Sequence, residues 1–306
     1  MTTETISLLE FFKKVPTEQK AQEYFENLRW NNGKHCPNCG SVSIANIKDC
    51  KPMPYRCRDC RRYFSVRTNT ILAESKLPLQ TWLLAIHIMT TAKKGISSVQ
   101  LSKHLGCTQK SSWFLAMRIR ETWLNKDNQQ LAGTVEVDET YVGGLEKNKH
   151  FHKKLKKGSG AVGKTLVVGF RQRDGGVIAM VVKQTDTATL TNAIRKNVEL
   201  GANLYTDRYK AYKGLKQDYN HQQVKHSVGE YVNGMVHTNG IESFWAVLKR
   251  GYYGIYHYMS PKHLERYVNE FAGRFNMNKI SSMDCIDMVL SDSVNKRLTY
   301  RRLINA

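Results

Sequence analysis

Thr134-Val-Glu-Val-Asp-Glu-Thr-Tyr-Val-Gly-Gly144 alternates β-branched residues with carboxylates. As a strand of period two it places Val135, Val137 and Glu139 on one face and Glu136, Asp138 and Thr140 on the other. An acid in mid-strand adds nothing to packing, and a buried carboxylate is costly unless it is paired or holds a metal. The stretch is therefore either a solvated strand face or the first piece of a site, and its surroundings must decide. Gly143 to Lys164 is a Gly- and Lys-rich loop. Thr165 to Phe170 and Val177 to Lys183 then flank Asp174-Gly175-Gly176, a hairpin signature, so three consecutive antiparallel strands are expected. A helix over Thr187 to Leu200 leads to a short strand, Asn203 to Thr206, ending at Asp207, and Gln222 to His226 reads as a fifth strand.

Further on, His237-Thr-Asn-Gly-Ile-Glu242-Ser-Phe-Trp-Ala-Val-Leu-Lys249-Arg250 reads as a helix capped near Thr238 or Asn239. At about 100° per residue, Asn239, Glu242 and Lys249 share one side, and Ile241, Phe244, Trp245 and Leu248 share the other. Alone this is an ordinary amphipathic helix. In combination, an acid in the first strand, an acid ending the strand after the crossover helix and an acid on a later helix can converge at one sheet edge. Three carboxylates so placed can hold two divalent ions about 4 Å apart, the arrangement that activates the attacking and leaving oxygens of a phosphodiester.

Upstream, Cys36-Pro-Asn-Cys39 and Cys57-Arg-Asp-Cys60 are two knuckles of metal-ligand spacing. Together they complete the tetrahedron that zinc accepts; disulfides are the alternative. A four-thiolate site is closed, so its Zn²⁺ is structural and stabilises a segment too small to hold a core by itself. Cys50 and His35 are the other nearby ligand types, and Cys107 and Cys285 read as small buried apolar residues. Arg56, Arg58, Arg61, Arg62 and Arg67 stand beside Tyr55, Tyr63 and Phe64, a mix that suits a phosphate backbone or a miniature aromatic core. An N-terminal helical pattern, Thr5 to Arg29, breaks near Pro16.

From Pro78 to Asn125 the period is helical. Ser97 caps and Gly106 stops one helix, Cys107-Thr108-Gln109 turns, and a basic helix follows from Lys110 to Leu124 with Lys110, Arg118 and Arg120. A helix, a short turn and a basic helix make a helix-turn-helix, whose second helix enters the major groove of DNA.

Composition points the same way. The 306 residues carry 47 Lys and Arg against 26 Asp and Glu, a net charge of +21 that favours a polyanionic partner. No apolar run is long enough to span a membrane and no leader pattern is visible, so a cytoplasmic protein is expected.

The chain resembles bacterial insertion-sequence transposases with an N-terminal zinc ribbon and a ribonuclease-H-like DDE domain. The resemblance rests on Arg29-Trp30 ahead of the first knuckle, Val135 to Gly144, Thr206-Asp207, His237 to Lys249, and Tyr258-Met-Ser-Pro-Lys-His-Leu, and it runs to Lys296-Arg-Leu-Thr-Tyr. It implies a multidomain α+β chain: an N-terminal helix and zinc ribbon over 1–73, a helix-turn-helix module over 74–128, a ribonuclease-H-like catalytic domain over 129–280 and a basic tail over 281–306. It implies that Asp138, Asp207 and Glu242 bind Mg²⁺ (or Mn²⁺), with Asn239 the alternative third member, and that Lys249 contacts substrate DNA. Arg250, Lys110 and Arg118 continue that basic track. Terminal-repeat binding, DNA cleavage and strand transfer on double-stranded DNA in the bacterial nucleoid, by a homodimer or larger assembly, complete the expectation. A non-catalytic DNA-binding regulator and a nuclease without joining activity are the rivals. No covalent role falls to Ser243, Tyr252 or Tyr253, and His226, His237 and His257 read as structural.

Overall fold

The structure, a computed structural model, describes residues 5–124, 130–155, 161–207, 212, 214–224 and 236–305. His226, Lys156 and Lys157 lie outside the described residues. The chain divides into two units: 1–123 together with 279–306, and 124–278.

In the first unit the N-terminal helical pattern is two helices, α1 (Leu8–Lys14) and α2 (Glu18–Arg29), separated at Pro16 and capped by Ser7 and Thr17. The ribbon is a three-stranded antiparallel sheet of β1 (Ile44–Asn46), β2 (Tyr55–Cys57) and β3 (Tyr63–Phe64). Its aromatics form the miniature core: Trp30, Tyr55 and Phe64 are buried with mutual edge and tilted contacts, and Lys34 Nζ lies 3.5 Å from the Tyr55 ring centroid. Three helices follow, α3 (Leu79–Thr91), α4 (Ser98–Leu105) and α5 (Gln109–Arg120). Pro78 offers α3 no side-chain cap, so Glu18 supplies one from α2, accepting from the backbone of Leu79 and Gln80. The α4–α5 turn follows its chemistry: Gly106 sits in the left-handed region at φ 61°, and Thr108 Oγ1 caps α5 by accepting from Ser111 N. Near the C-terminus are two helices, α9 (Ser282–Ser291), packed on α3 and α2, and α10 (Tyr300–Asn305).

The second unit is a five-stranded sheet. Its strands are β4 (Thr134–Val142), β5 (Thr165–Gln172), β6 (Val177–Val182), β7 (Asn203–Asp207) and β8 (Asn220–Val224), in the spatial order β6-β5-β4-β7-β8. β4 pairs antiparallel with β5, and β5 with β6 through the Asp174-Gly175-Gly176 turn; β7 and β8 are parallel to β4, and this mixed order is the ribonuclease-H-like arrangement. Helix α6 (Thr187–Asn197) makes the crossover and covers one face, where Val135, Val137, Val168 and Phe170 meet Leu190 and Ile194. The α7 helix (Asn239–Gly251) lies against β4 and β5, followed by a π turn, Tyr252–Tyr256, and α8 (Leu264–Asn276). Edge strand β6 is covered by α8: Asn276 both accepts from Val177 N and donates to Val177 O, and Glu265 Oε2 accepts from Val181 N. Among the described residues no helix is long and apolar enough to cross a membrane.

Candidate active site and metal centre

The four knuckle cysteines bring their Sγ atoms within 4.8 Å of one another. The Cys36–Cys60 and Cys39–Cys57 separations are both 3.6 Å, close to the roughly 3.8 Å edge of a tetrahedron with Zn–S bonds of about 2.3 Å, and none of the four is disulfide-bonded. Backbone N–H groups of Cys60 and Asp59 push the Cys57 thiol down, while burial and the other three thiols push that of Cys39 up, as in four sulfurs crowded into one site. The residues fit a structural zinc. Cys50 is exposed and stands outside the cluster.

The acidic constellation is built on β4. Strand pairing sets Val137 opposite Thr206, so one step further along the two parallel strands Asp138 and Asp207 are neighbours at the same sheet edge. Asp138 points to the α7 side, where Trp245 Nε1 donates to its Oδ2 at 3.0 Å. That contact needs Gly169, the cross-strand partner of Asp138: a Cβ there would sit 2.6 Å from the Trp245 ring and 2.8 Å from Ile241 Cδ1. Gly169→Ala is expected to overpack this interface and destabilise the second unit by about 1–3 kcal/mol, read as a lowered urea midpoint. An unchanged midpoint would mean that α7 is not seated as described.

Burial pushes the Asp138 carboxyl up to about 6, and the charges of Asp207 and Glu242 act in the same direction. Glu242 is exposed on the first turn of α7, where Thr238 Oγ1 donates to its Oε1 at 3.0 Å. The polar and apolar sides of α7 are as expected, with Ile241, Phe244, Trp245 and Leu248 buried and Asn239, Glu242, Lys249 and Arg250 exposed. Asp138 on β4 thus feels the charges of Asp207 on β7 and Glu242 on α7. Among the described residues only the cysteine cluster has all its ligand atoms within 4.8 Å; the acids are more widely spread. An all-oxygen donor set of this kind fits a hard divalent cation, and a pair of ions about 4 Å apart needs the wider spread.

Other residues around β4 and the start of α7 complete these surroundings. Glu136 is 1% exposed and acts as a tether: its Oε2 accepts from Ile241 N at 3.0 Å, in the first turn of α7, and its Oε1 from Arg173 Nε at 3.1 Å. Gly240 makes the approach feasible, since a Cβ there would lie 2.5 Å from Glu136 Oε2. His237 Nδ1 is 3.4 Å from the same carboxylate, consistent with its structural reading. Glu139 points to the opposite face, beside the buried Tyr212, and has its carboxyl pushed up to about 7, by burial first and then by Asp207 and Asp138. A buried indole needs an acceptor, and this was the available signal for Trp245.

The structure corrects one expected DNA contact. Arg118 is 5% exposed, donates from Nη2 to Ala73 O at 2.6 Å and stacks on Trp82 and Phe114, so it belongs to the helical core. Arg118→Met is expected to cost about 1–3 kcal/mol of stability by leaving the Ala73 carbonyl unpaired, with the salt dependence of DNA binding unchanged. A shallower salt dependence in a stably folded variant would restore Arg118 as a phosphate contact. Arg120 is likewise buried. Lys110 is exposed at the start of α5, its ammonium 5.0 Å from the centroid of Tyr300. The acids and Lys249 are in the second unit, and Lys110 and the zinc site in the first.

Comparison with known proteins bears on both units. Residues 130–276 match the ISXO2-like transposase domain and residues 16–63 the transposase zinc-ribbon domain. A transposase-like protein of Haemophilus influenzae is 31% identical over 107 residues, 35% of this chain and 85% of the relative. The chain belongs to a family of transposase-like proteins. An uncharacterized protein in transposable element ISH50 of Halobacterium salinarum is 28% identical over 296 residues, 92% of this transposase-family chain and 99% of the relative. A chain in the crystal structure of the Mos1 strand transfer complex aligns at a TM-score of 0.30 and 12% identity, covering 69% of this chain and 78% of that one. The ISXO2-like domain match contains Asp138, Asp207 and Glu242, and the ribbon match contains all four cysteines.

Proposed function

We infer that this transposase-family chain binds the terminal inverted repeats of a mobile element and catalyses metal-dependent cleavage and strand transfer of DNA. The observation that supports this reading is the register that makes Asp138 and Asp207 neighbours on β4 and β7, with Glu242 on the α7 helix that packs on β4 and Asp138 buried enough for its carboxyl to be pushed up to about 6. Burial and the charges of Asp207 and Glu242 both disfavour the ionised Asp138 carboxyl, and a bound cation would relieve that cost. Mg²⁺ (or Mn²⁺) held by these three acids would supply Lewis-acid activation of the attacking and leaving oxygens. Asn239, one turn before Glu242, is the neutral alternative for the third position, and the carboxylate is the better ligand for a hard cation.

The chain's own residues set the geometry. Trp245 fixes the orientation of Asp138, Thr238 that of Glu242, and Glu136 anchors the first turn of the helix that carries Glu242. Hydrolysis at the element end frees a 3′-hydroxyl, and joining uses that hydroxyl on a target phosphodiester. Both are in-line displacements at phosphorus, so one set of acids serves both steps. Exposed Lys249 and Arg250 supply phosphate contacts two turns along α7. In the first unit α4 and α5 act as the helix-turn-helix; the N-terminal turn of α5, with Gln109 and Lys110 exposed, is the part free to meet base edges. The two ends of an element must be handled together, so a homodimer or larger assembly on DNA, in the nucleoid, completes the reading.

The test is a strand-transfer assay on labelled duplex carrying the gene's own flanking ends, with Mg²⁺ and with EDTA. Metal-dependent joining is the expected result. Binding of the ends without cutting or joining in any metal would leave a DNA-binding regulator, and cutting without joining would leave a nuclease.

A further inference from the structure

The loop between β4 and β5 leaves the sheet at the edge where the acids gather. Residues 143–164 hold seven lysines against one acid, Glu146. Val142 pairs with Thr165, so the loop begins four residues beyond Asp138 along the same strand. At about 3.3 Å per residue it overhangs Asp138 by roughly 13 Å.

Within the described part, the loop has a shape of its own. Two short 3₁₀ turns, Glu146–Asn148 and Phe151–Lys153, are drawn together by Glu146, whose carboxylate pairs with Lys149 Nζ at 2.5 Å and accepts from the backbone N–H of Leu155. Gly163 permits this closure: it sits at φ +69°, and a Cβ there would lie 2.6 Å from Lys149 Nζ. On the resulting lobe Phe151 is 75% exposed, between His150 and His152, whose rings stack at 5.8 Å. Lys147 and Lys153 are exposed alongside it. A phenylalanine this open in a lysine-rich lobe is poorly suited to an apolar partner and well suited to a polyanion that offers aromatic faces.

We propose that residues 145–155 form a DNA-contacting lobe in which Phe151 stacks on an unpaired base a few steps from the scissile phosphate while Lys147 and Lys153 hold the backbone. The proposal rests on the reading that Asp138, Asp207 and Glu242 act on DNA. With an axial rise of about 3.4 Å per step, an overhang of roughly 13 Å puts the contacted base about four steps from the reacting phosphate. Opening a pair there costs energy that a preformed aromatic platform offsets, because little of the lobe has to be ordered on binding.

The test compares affinity, in EDTA, for flanking-end duplex that is fully paired and for the same duplex with a single mismatch three, four or five steps from the cleavage position. Wild type is expected to bind one of the mismatched duplexes at least about fivefold tighter, since stacking on an aromatic is worth about 1–3 kcal/mol per base. Phe151→Ala is expected to lose that preference and Phe151→Trp to keep it. Lys147→Gln with Lys153→Gln is expected to lower the slope of log affinity against log salt by about 1.8, two contacts at about 0.9 each. Equal affinity of wild type for paired and mismatched duplexes, or an undiminished preference in Phe151→Ala, would overturn the proposal. Joining assays run in parallel on wild type with paired DNA separate the two readings: joining without mismatch preference sinks only the lobe, whereas binding without metal-dependent chemistry sinks the assignment of the acids.

Discussion

Asp138→Asn is expected to lower Mg²⁺-dependent cleavage and joining by about 10³-fold, with binding of the flanking-end duplex in EDTA close to wild type. Removing one charged ligand forfeits several kcal/mol of transition-state charge stabilisation, and about 4 kcal/mol is three powers of ten. The amide can still accept from Trp245 Nε1, so the fold should persist. The same carboxyl gives a pH signature. Its folded value, about 6, lies above the ordinary aspartate value of 3.8, so folding favours the protonated form. Its contribution is fully present below about pH 4 and is lost as pH rises through about 6, a change of up to about 3 kcal/mol. Mg²⁺ should reverse that loss. Its thermal stabilisation of wild type is therefore expected to be large at pH 7.5 and small at pH 5, where protons compete for the ligands. In Asp138→Asn both the metal effect and this part of the pH dependence should shrink. A Mg²⁺-induced shift that is equal at both pH values would place the bound ion elsewhere.

Removal of zinc should have the other large effect. The ribbon's own core is little more than Trp30, Tyr55 and Phe64, too small to hold three strands of two or three residues each. In zinc-finger peptides a structural zinc supplies about 10–16 kcal/mol of apparent binding energy, most of it folding energy. Chelation, or Cys57→Ser, is expected to unfold residues 36–64 and abolish end binding, while the second unit, with its own core of strands β4 to β8 and α6, keeps its melting transition. Zinc content by atomic absorption should fall from one per chain to none. A zinc-free protein that still binds DNA with an intact ribbon would contradict this account.

Local periodicity made much of the fold legible. The alternation of Thr134 to Val142, the Asp174-Gly175-Gly176 turn and the amphipathic stripe of α7 are short-range patterns, and each is realised close to where the residues place it. The CxxC pairs were readable for the same reason, since each knuckle is four residues long. What stayed hidden is long-range. Trp245 reaches Asp138 across 107 positions and Ile241 reaches Glu136 across 105, and no residue spacing announces such pairs. Glu136 shares the strand face of Asp138, as the alternation requires, but only the fold shows that it is consumed by Arg173 and the start of α7.

Basic residues were over-assigned to DNA for a related reason. Charge can be counted from a sequence, but burial cannot. Arg67 binds the carbonyls of Ser75 and Leu77 and pairs with Glu18, and Arg118 is sealed over Trp82. Both are spent on holding the first unit together. The C-terminal segment shows the converse: its basic composition suggested a tail, yet α9 carries an apolar face of Cys285, Ile286, Val289 and Leu290 that is buried.

The central claim, that Asp138, Asp207 and Glu242 hold the metal for DNA chemistry, is tested most directly by Asp207→Cys assayed for joining of flanking-end duplex in Mg²⁺ and in Mn²⁺. A thiolate is a poor ligand for Mg²⁺ and a better one for softer ions. The account predicts no joining in Mg²⁺ and restored joining in Mn²⁺. Wild-type joining in Mg²⁺ by this variant would contradict it, because position 207 could not then be a ligand of the reactive metal.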